Sequence, residues 1–246
     1  STVSVSTLST CRLENTNLSN IRSHENTNIL HLIKMLWHDK AAWNLHRIST
    51  NNKSIAFSMI NLSGADLTEI NLNNTIFTES NFENSNLTRN TITSTIFSGS
   101  NFQDAHLYNS NFREVLFNKC NLKKCDFTNC TIEDCDFEKS TMEETNFNSS
   151  TLYNSSFHKA TAKNIYCDEA YLHRVKMTDF NCENGSFQFS RFLSTDLSWS
   201  NFISCNFQNC IFEKSKMHGS NVYNSDFFNS ESEGLWILDC DNLLFE

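Results

Sequence analysis

Cys120, Cys125, Cys130 and Cys135 place four thiols within a short stretch, and four thiols raise metal binding or redox chemistry at once. Their step is a uniform five residues. Structural zinc sites instead use local ligand pairs that converge tetrahedrally. The chain has ten Cys, yet disulfide scaffolds are usually short and secreted. The thiols are therefore expected to be reduced and buried, with Cys205 and Cys210 repeating the placement. His31 and His38 lie seven apart with His24 and His46 nearby, but no third or fourth ligand can be identified. No Ser/His/Asp grouping is recognisable, and five scattered Gly cannot form a phosphate-binding loop. General acid–base work needs a pocket that shifts carboxylate pKa values. Catalytic, cofactor-binding and metal residues are all expected to be absent, and the chain is read as non-enzymatic.

The frame that would hold these residues is visible in a second spacing. Every fifth residue from Leu62 to Phe227 gives 34 positions without an insertion, and 31 of them are Phe, Leu, Ile, Met or Val. With Phe57 included, 17 of the 21 Phe fall on this register. Neither a helix nor a strand has that period. The residue two before each centre is Ser, Thr, Ala, Cys or Gly in 27 of the 34 cases. Between them Asn or Asp recurs, as at Asn71, Asn101, Asp126 and Asn201. Each unit reads small, Asn/Asp, large apolar, polar, polar. The pattern suits one side of a square coil, with the small and large residues inward and the polar pair at the corner. Asn and Asp serve such corners because their side chains bond nearby backbone. The chain has no Pro, so ordinary turn chemistry is not in use.

Ala65-Asp66-Leu67-Thr68-Glu69 matches the pentapeptide-repeat pattern letter for letter. The chain resembles pentapeptide-repeat proteins over about residues 57–230. The resemblance implies an all-β solenoid, a right-handed quadrilateral β-helix with four units per coil, so residues twenty apart stack. No Cys pair in the rod is twenty apart, so no stacked disulfide is expected. At roughly 4.8 Å per layer the 34 units make a rod about 40 Å long.

Three segments are expected. Residues 1–56 hold a partial repeat (Leu8, Leu13, Leu18) and one amphipathic helix over about 26–48, capped at its start by Asn26 or Thr27, covering the open coil. Residues 57–230 form the β-helix. Residues 231–246, rich in Leu235, Trp236, Ile237, Leu238, Leu243, Leu244 and Phe245, form a C-terminal cap or a dimer contact. Within the rod the pattern weakens between Thr161 and Gly185: Ala162, Cys167 and Cys182 replace large centres, while Ile165 and Phe180 overfill small slots. A distorted or bulged coil is expected there, with Tyr166, Tyr171, His173 and Arg174 as contacts if it forms a recognition surface. Lys119, Lys139 and Lys159 are twenty apart and should stack on one edge, with Lys123, Glu143 and Lys163 beside them and Lys124 close by. This is either a balanced solvated edge or a basic strip for an acidic partner.

The net charge of −9 argues against direct nucleic-acid binding. No apolar run is long enough to span a membrane, and the first residues lack the features of a secretory signal. The partner is expected to be a protein. The resemblance extends to pentapeptide-repeat effectors of enteric pathogens, which implies an interaction module made in the bacterial cytoplasm and working in a host cell, a reducing compartment. In some such effectors the repeat precedes a ubiquitin-ligase domain, so the chain is compatible with being part of a longer enzyme. The resemblance extends equally to the quinolone-resistance members, which implies DNA mimicry toward gyrase. A structural scaffold is the third reading.

Overall fold

The computed structural model describes residues 29–241. The Leu8–Leu13–Leu18 stretch, the capping position at Asn26 or Thr27, and Leu243, Leu244 and Phe245 lie outside the described residues. Where one continuous helix was expected there are two, α1 (Ile29–His38) and α2 (Lys40–Ser49). The break is at Asp39, whose φ of −142° and ψ of 76° leave the helical region. Its Oδ1 accepts the Ala42 amide at 2.9 Å, so the residue that interrupts one helix caps the next.

α2 lies across the first coil of the rod. The Trp43 ring is buried against Phe57 at 5.9 Å, and its Nε1 donates to the Asn71 carbonyl at 2.8 Å. Buried Arg47 donates to the carbonyls of Lys53 and Asn73. Burial lowers its pKa to about 10. Asn44 donates to the Glu69 carbonyl and accepts the Asn71 amide. Lys40 Nζ reaches Asp66 at 2.9 Å. That bond first, and the Thr68 hydroxyl second, lower the Asp66 pKa to about 2. A depressed folded pKa means the contact stabilises fully above the ordinary carboxylate value near ~3.9 and is lost as pH falls toward about 2. Lys40→Met should return Asp66 toward the ordinary range, read as a rise in its carboxyl midpoint by NMR titration; an unmoved midpoint would rule Lys40 out as the cause.

From Ile55 to Asp241 the backbone pairs in parallel with itself at a fixed separation of twenty: Ile55↔Thr75, Thr131↔Thr151, Asn201↔Asn221, Asn221↔Asp241. The strands are two or three residues long and fall on the sides of a four-cornered coil. We name each side by its first centre: the Phe57, Leu62, Leu67 and Leu72 faces.

One unit shows why this sequence forms this coil. The Asn81 amide donates to Ile60 O, Phe82 to Asn101 O, Glu83 to the Asn81 side chain, Asn84 to Gln103 O, and Ser85 to Phe82 O. All five N–H groups are used, and Asn84 sits at φ 55°. Proline has no N–H and a fixed negative φ, so no slot admits it. The outward Asn or Asp accepts the amide two residues on, as at Asn61, Asp126 and Asn206. The second corner residue is left-handed throughout, a conformation that costs about 1–2 kcal/mol for a residue with a Cβ and is eased for Asn and Asp by local side-chain bonds.

Inside, the centres stack. Along the Phe57 face, Phe77, Phe97, Phe117, Phe137 and Phe157 form a ladder with centroid steps of 5.6, 5.3, 5.1 and 4.7 Å. The small slots are buried polar groups with partners. Thr95, Ser100 and Ser215 donate to the centre carbonyl 23 residues earlier. Cys120, Cys125, Cys130 and Cys210 do the same through Sγ at 2.8–3.1 Å. These thiols replace hydroxyls; they are more than apolar filler.

The bulge expected between Thr161 and Gly185 is absent. Thr161–Lys163, Tyr171–His173 and Asn181–Glu183 pair in unbroken register with their neighbours. The oversized and undersized residues compensate. Phe180 fills the core from a small slot, between Phe157 and Phe202, where the centres Ala162 and Cys182 are small. Ile165 is followed one coil later by Gly185. A Cβ at 185 would stand 2.5 Å from Cys182 Sγ, 2.9 Å from Phe187 Cε2 and 3.0 Å from Ile165 Cγ2. Gly185→Ala should therefore destabilise by about 1–3 kcal/mol through overpacking. Ile165→Ala in the same chain should recover part of the loss in a thermal melt. Equal melting of Gly185→Ala and the parent would contradict this account.

Pairing does not stop at 230. Lys216↔Trp236 and Asn221↔Asp241 continue the coil through the expected C-terminal segment. Trp236 and Leu238 are exposed there, and Leu235 packs partly on the core.

Candidate functional site

The side chains free to meet a partner stand at the corners and in the outward slot of each face. Lys119, Lys139 and Lys159 occupy successive corners with φ of 60°, 59° and 57°, stacked as the spacing requires. Lys139 pairs with Glu138 at 2.6 Å. Among the described residues Lys119 and Lys159 make no ion pair. The next edge is neutralised between coils. Lys123 meets Glu143 at 2.8 Å, Lys124 meets Glu144 at 3.7 Å and Lys163 meets Glu183 at 3.5 Å. That edge is a charge-alternating ladder and offers little net field.

Tyr171, His173 and Arg174 do come together, and Tyr153 joins them. The Tyr153 and His173 rings meet edge to face at 4.9 Å, and Tyr171 lies 6.1 Å from His173. Arg174 Nη1 donates to the Tyr153 hydroxyl at 3.0 Å, with its guanidinium 5.9 Å above that ring. Arg191 pairs with Tyr171 in the next coil and with Glu213 at 2.8 Å. Tyr166 is not part of this group; it stands on the Leu67 face, between Asn146 and Ser186. Spacing could have found Tyr153, because it is twenty residues before His173.

These features frame one side of the rod. The Phe57 face in its middle coils has Arg174 at one bordering corner and Lys119, Lys139 and Lys159 at the other, with Lys176 in the outward slot between. Asp179 lies on the same border, 3.5 Å from His158.

Reactive chemistry is poorly served. Burial pushes Cys120, Cys130, Cys135 and Cys210 up to about 12 and Cys125 well above the usual thiol range, which suppresses the thiolate. All nine described cysteines are free. Cys182 and Cys205 do approach, with Sγ atoms 3.5 Å apart at a separation of 23 residues. The twenty-residue rule missed this contact because a small slot lies over a centre 23 positions earlier. The bond with Cys205 first, and burial next, hold the Cys182 thiol well above its usual range. Among the described residues no cluster of His, Cys, Asp and Glu is placed to hold a metal ion, and no helix is long and apolar enough to cross a membrane. An open groove of about 270 Å³ between α2 and the first coils is lined by Asn44, Ile48, Glu69, Arg89 and Asn90. Its Asn44 and Asn90 amides are already engaged with backbone.

The geometry agrees with the sequence comparisons. Pentapeptide repeats match residues 57–89, 95–134 and 195–230, and a second description of the same repeats matches 117–161. The chain is a pentapeptide-repeat protein. No curated protein matches this pentapeptide-repeat chain. Among solved structures it is similar to HetL, a pentapeptide-repeat protein involved in heterocyst differentiation regulation from the cyanobacterium Nostoc. Identity is 13% over 82% of this chain and 94% of that one, with a TM-score of 0.38. It is similar to QnrB1, a plasmid-mediated fluoroquinolone resistance protein, at 17% identity over 64% and 87%, TM-score 0.38. A pentapeptide-repeat protein of the Arabidopsis thaliana thylakoid lumen is 21% identical over 45% and 59%, TM-score 0.24. Likenesses at this level describe the repeat and carry no argument about function.

Proposed function

We propose that this pentapeptide-repeat protein is a non-catalytic protein-interaction module whose middle coils present the Phe57 face to an acidic partner protein. The supporting observation is the convergence of Tyr153, Tyr171, His173 and Arg174 at one border of that face, opposite the unpaired Lys119 and Lys159. Aromatic rings and arginine dominate interface energetics, and a stacked rod holds them at fixed spacing, so little ordering entropy is lost on binding.

The finer reading is a bacterial effector, made in the bacterial cytoplasm and acting in the reducing interior of a host cell. Its support is compositional: the Ser/Thr-rich start and the Asn-rich, proline-free chain. Gyrase binding by duplex mimicry has the sign of the net charge in its favour, but lysines interrupt the acidic surface. Affinity capture from host and bacterial lysates with the parent and with Lys159→Glu/Arg174→Glu tests the proposal. A partner held by the parent and released by the charge-reversed variant is expected; equal capture by both would remove the Phe57 face from consideration. Inhibition of gyrase supercoiling by the parent would favour the duplex-mimic reading instead.

A further inference from the structure

We propose that the C-terminal coils carry a second recognition site, built on Trp199, that takes an arginine side chain from a cationic peptide segment of a partner protein. The inference rests on reading the rod as an interaction module and concerns later coils of the border that carries Lys119, Lys139 and Lys159.

Trp199 occupies a left-handed corner slot at φ 62°. Across the described corners that slot is filled by Asn, Asp, Ser, Glu, Lys, Arg or Gly, and by a large apolar residue only at Met59, Phe189 and Trp199. A bulky side chain in this conformation is an outlier that asks for a reason. One coil later the same corner is Gly219. A Cβ there would lie 2.3 Å from Cε3 and 2.3 Å from Cζ3 of the Trp199 ring. The indole therefore runs along the edge over the bare Gly219 backbone. Even so, Trp199 remains 64% exposed. The sequence thus supplies both the ring and the gap that seats it.

The surroundings select a cation. Up the same corner column the order is Asp179, Trp199, Gly219, Asp239, so carboxylates flank the ring on both sides. Exposed Leu238 sits beside the Gly219 step, whose amide donates to the Leu238 carbonyl at 2.8 Å. The neighbouring edge carries Ile203 and Tyr223, twenty apart and both exposed. Between the two edges run the outward Asn201, Asn221 and Asp241. The outward slot on the other side of the corner runs Lys176, Asp196, Lys216, and His218 adjoins Gly219, so with Asp179, Asp239 and Asp241 the border carries four carboxylates against two lysines. The aromatic face carries negative potential, and the carboxylates reinforce it. A guanidinium suits this site better than an ammonium, because it is planar, stacks on indole and is less strongly hydrated. The flanking Leu238, Ile203 and Tyr223 would take apolar side chains from the same segment.

Two other occupants fit less well. A second copy of the chain would bring two acidic ends together in an isologous contact, with like charges facing. A neutral sugar would use the ring but leave the excess of carboxylates without purpose.

The test uses the full chain and a displayed library of random 12-residue peptides. Enriched peptides are expected to carry arginine. Trp199→Ala should weaken their binding at least tenfold while leaving the melting temperature unchanged, since the side chain lies outside the core. Gly219→Ala, which keeps the ring but removes its seat, should weaken binding comparably. Lysine in place of the critical arginine should weaken it several-fold, and Arg174→Ala should leave it intact. Enrichment of acidic or neutral peptides, no enrichment at all, or full binding by Trp199→Ala would each overturn the inference. So would Trp199-dependent binding on a glycan array or a Trp199-dependent dimer in sedimentation. Lys159 stands two coils before Trp199 in the same corner column, so capture is repeated with Arg174→Glu alone, at the opposite border of the Phe57 face, and either conclusion can fail without the other.

Discussion

Phe127→Asp is expected to unfold the central coils, seen as loss of β-type circular dichroism and of a cooperative melt. Phe127 is fully buried on the Leu67 face. Its ring stacks on Phe147 at 4.8 Å with an interplanar angle of 6°, and meets Phe117 edge to face at 5.7 Å. Removing such a ring costs about 3–5 kcal/mol in a core that cannot collapse. A carboxylate left there has no partner and adds several kcal/mol more. Together these approach the whole stability of a typical domain, about 5–15 kcal/mol. Each coil contacts only its neighbours, so the damage should centre on the coils beside residue 127. A melting temperature equal to that of the parent would refute the inward assignment of the entire five-residue register.

Removing residues 1–50 is expected to make the chain associate or precipitate more than the parent while it keeps β-type circular dichroism. The deletion takes away α1 and α2. Phe57 would lose the Trp43 ring, and the carbonyls of Asn71, Asn73 and Lys53 would lose their donors from Trp43 and Arg47. Backbone and apolar surface of the first coil would then face water, a template for pairing with another chain. Sedimentation with the dichroism measured in parallel checks both halves of the expectation. A deleted chain that associates no more than the parent and is equally stable, but loses a binding partner, would make α2 a recognition element.

The five-residue register was legible because each slot faces a constant environment: centres inward, corners outward. Reading one slot at a time also set the limit. Phe180 with Ala162 and Cys182, and Ile165 with Gly185, break the slot rule singly and obey it in pairs, which only packing across coils reveals. Asp39 escaped notice because the apolar period of α1 runs on into α2, while the break comes from one carboxylate bonding the Ala42 amide. The surface was partly readable by twenty-residue arithmetic. It stacked Lys119, Lys139 and Lys159, and applied to His173 it would have added Tyr153. It could not place Cys182 beside Cys205, since that contact crosses from a centre to a small slot. Trp199 could have been noticed, with Met59 and Phe189, as a large apolar residue in a slot filled elsewhere by polar residues or Gly, but the Gly219 seat depends on where the indole lies.

The constant separation of twenty between paired residues bears on how fast such a rod can form. Parallel sheets usually join strands far apart in sequence and fold slowly for that reason. Here every described pairing closes a loop of the same modest length. Relative to 246 residues that is a contact order of about 0.08, in the range of fast-folding helical bundles. A nucleus of two adjacent coils can arise anywhere along the ladder, and each later coil then adds onto an existing edge. With no proline in the chain, no prolyl isomerisation can delay that growth. An all-β protein of this length is thus built to zip rather than to search.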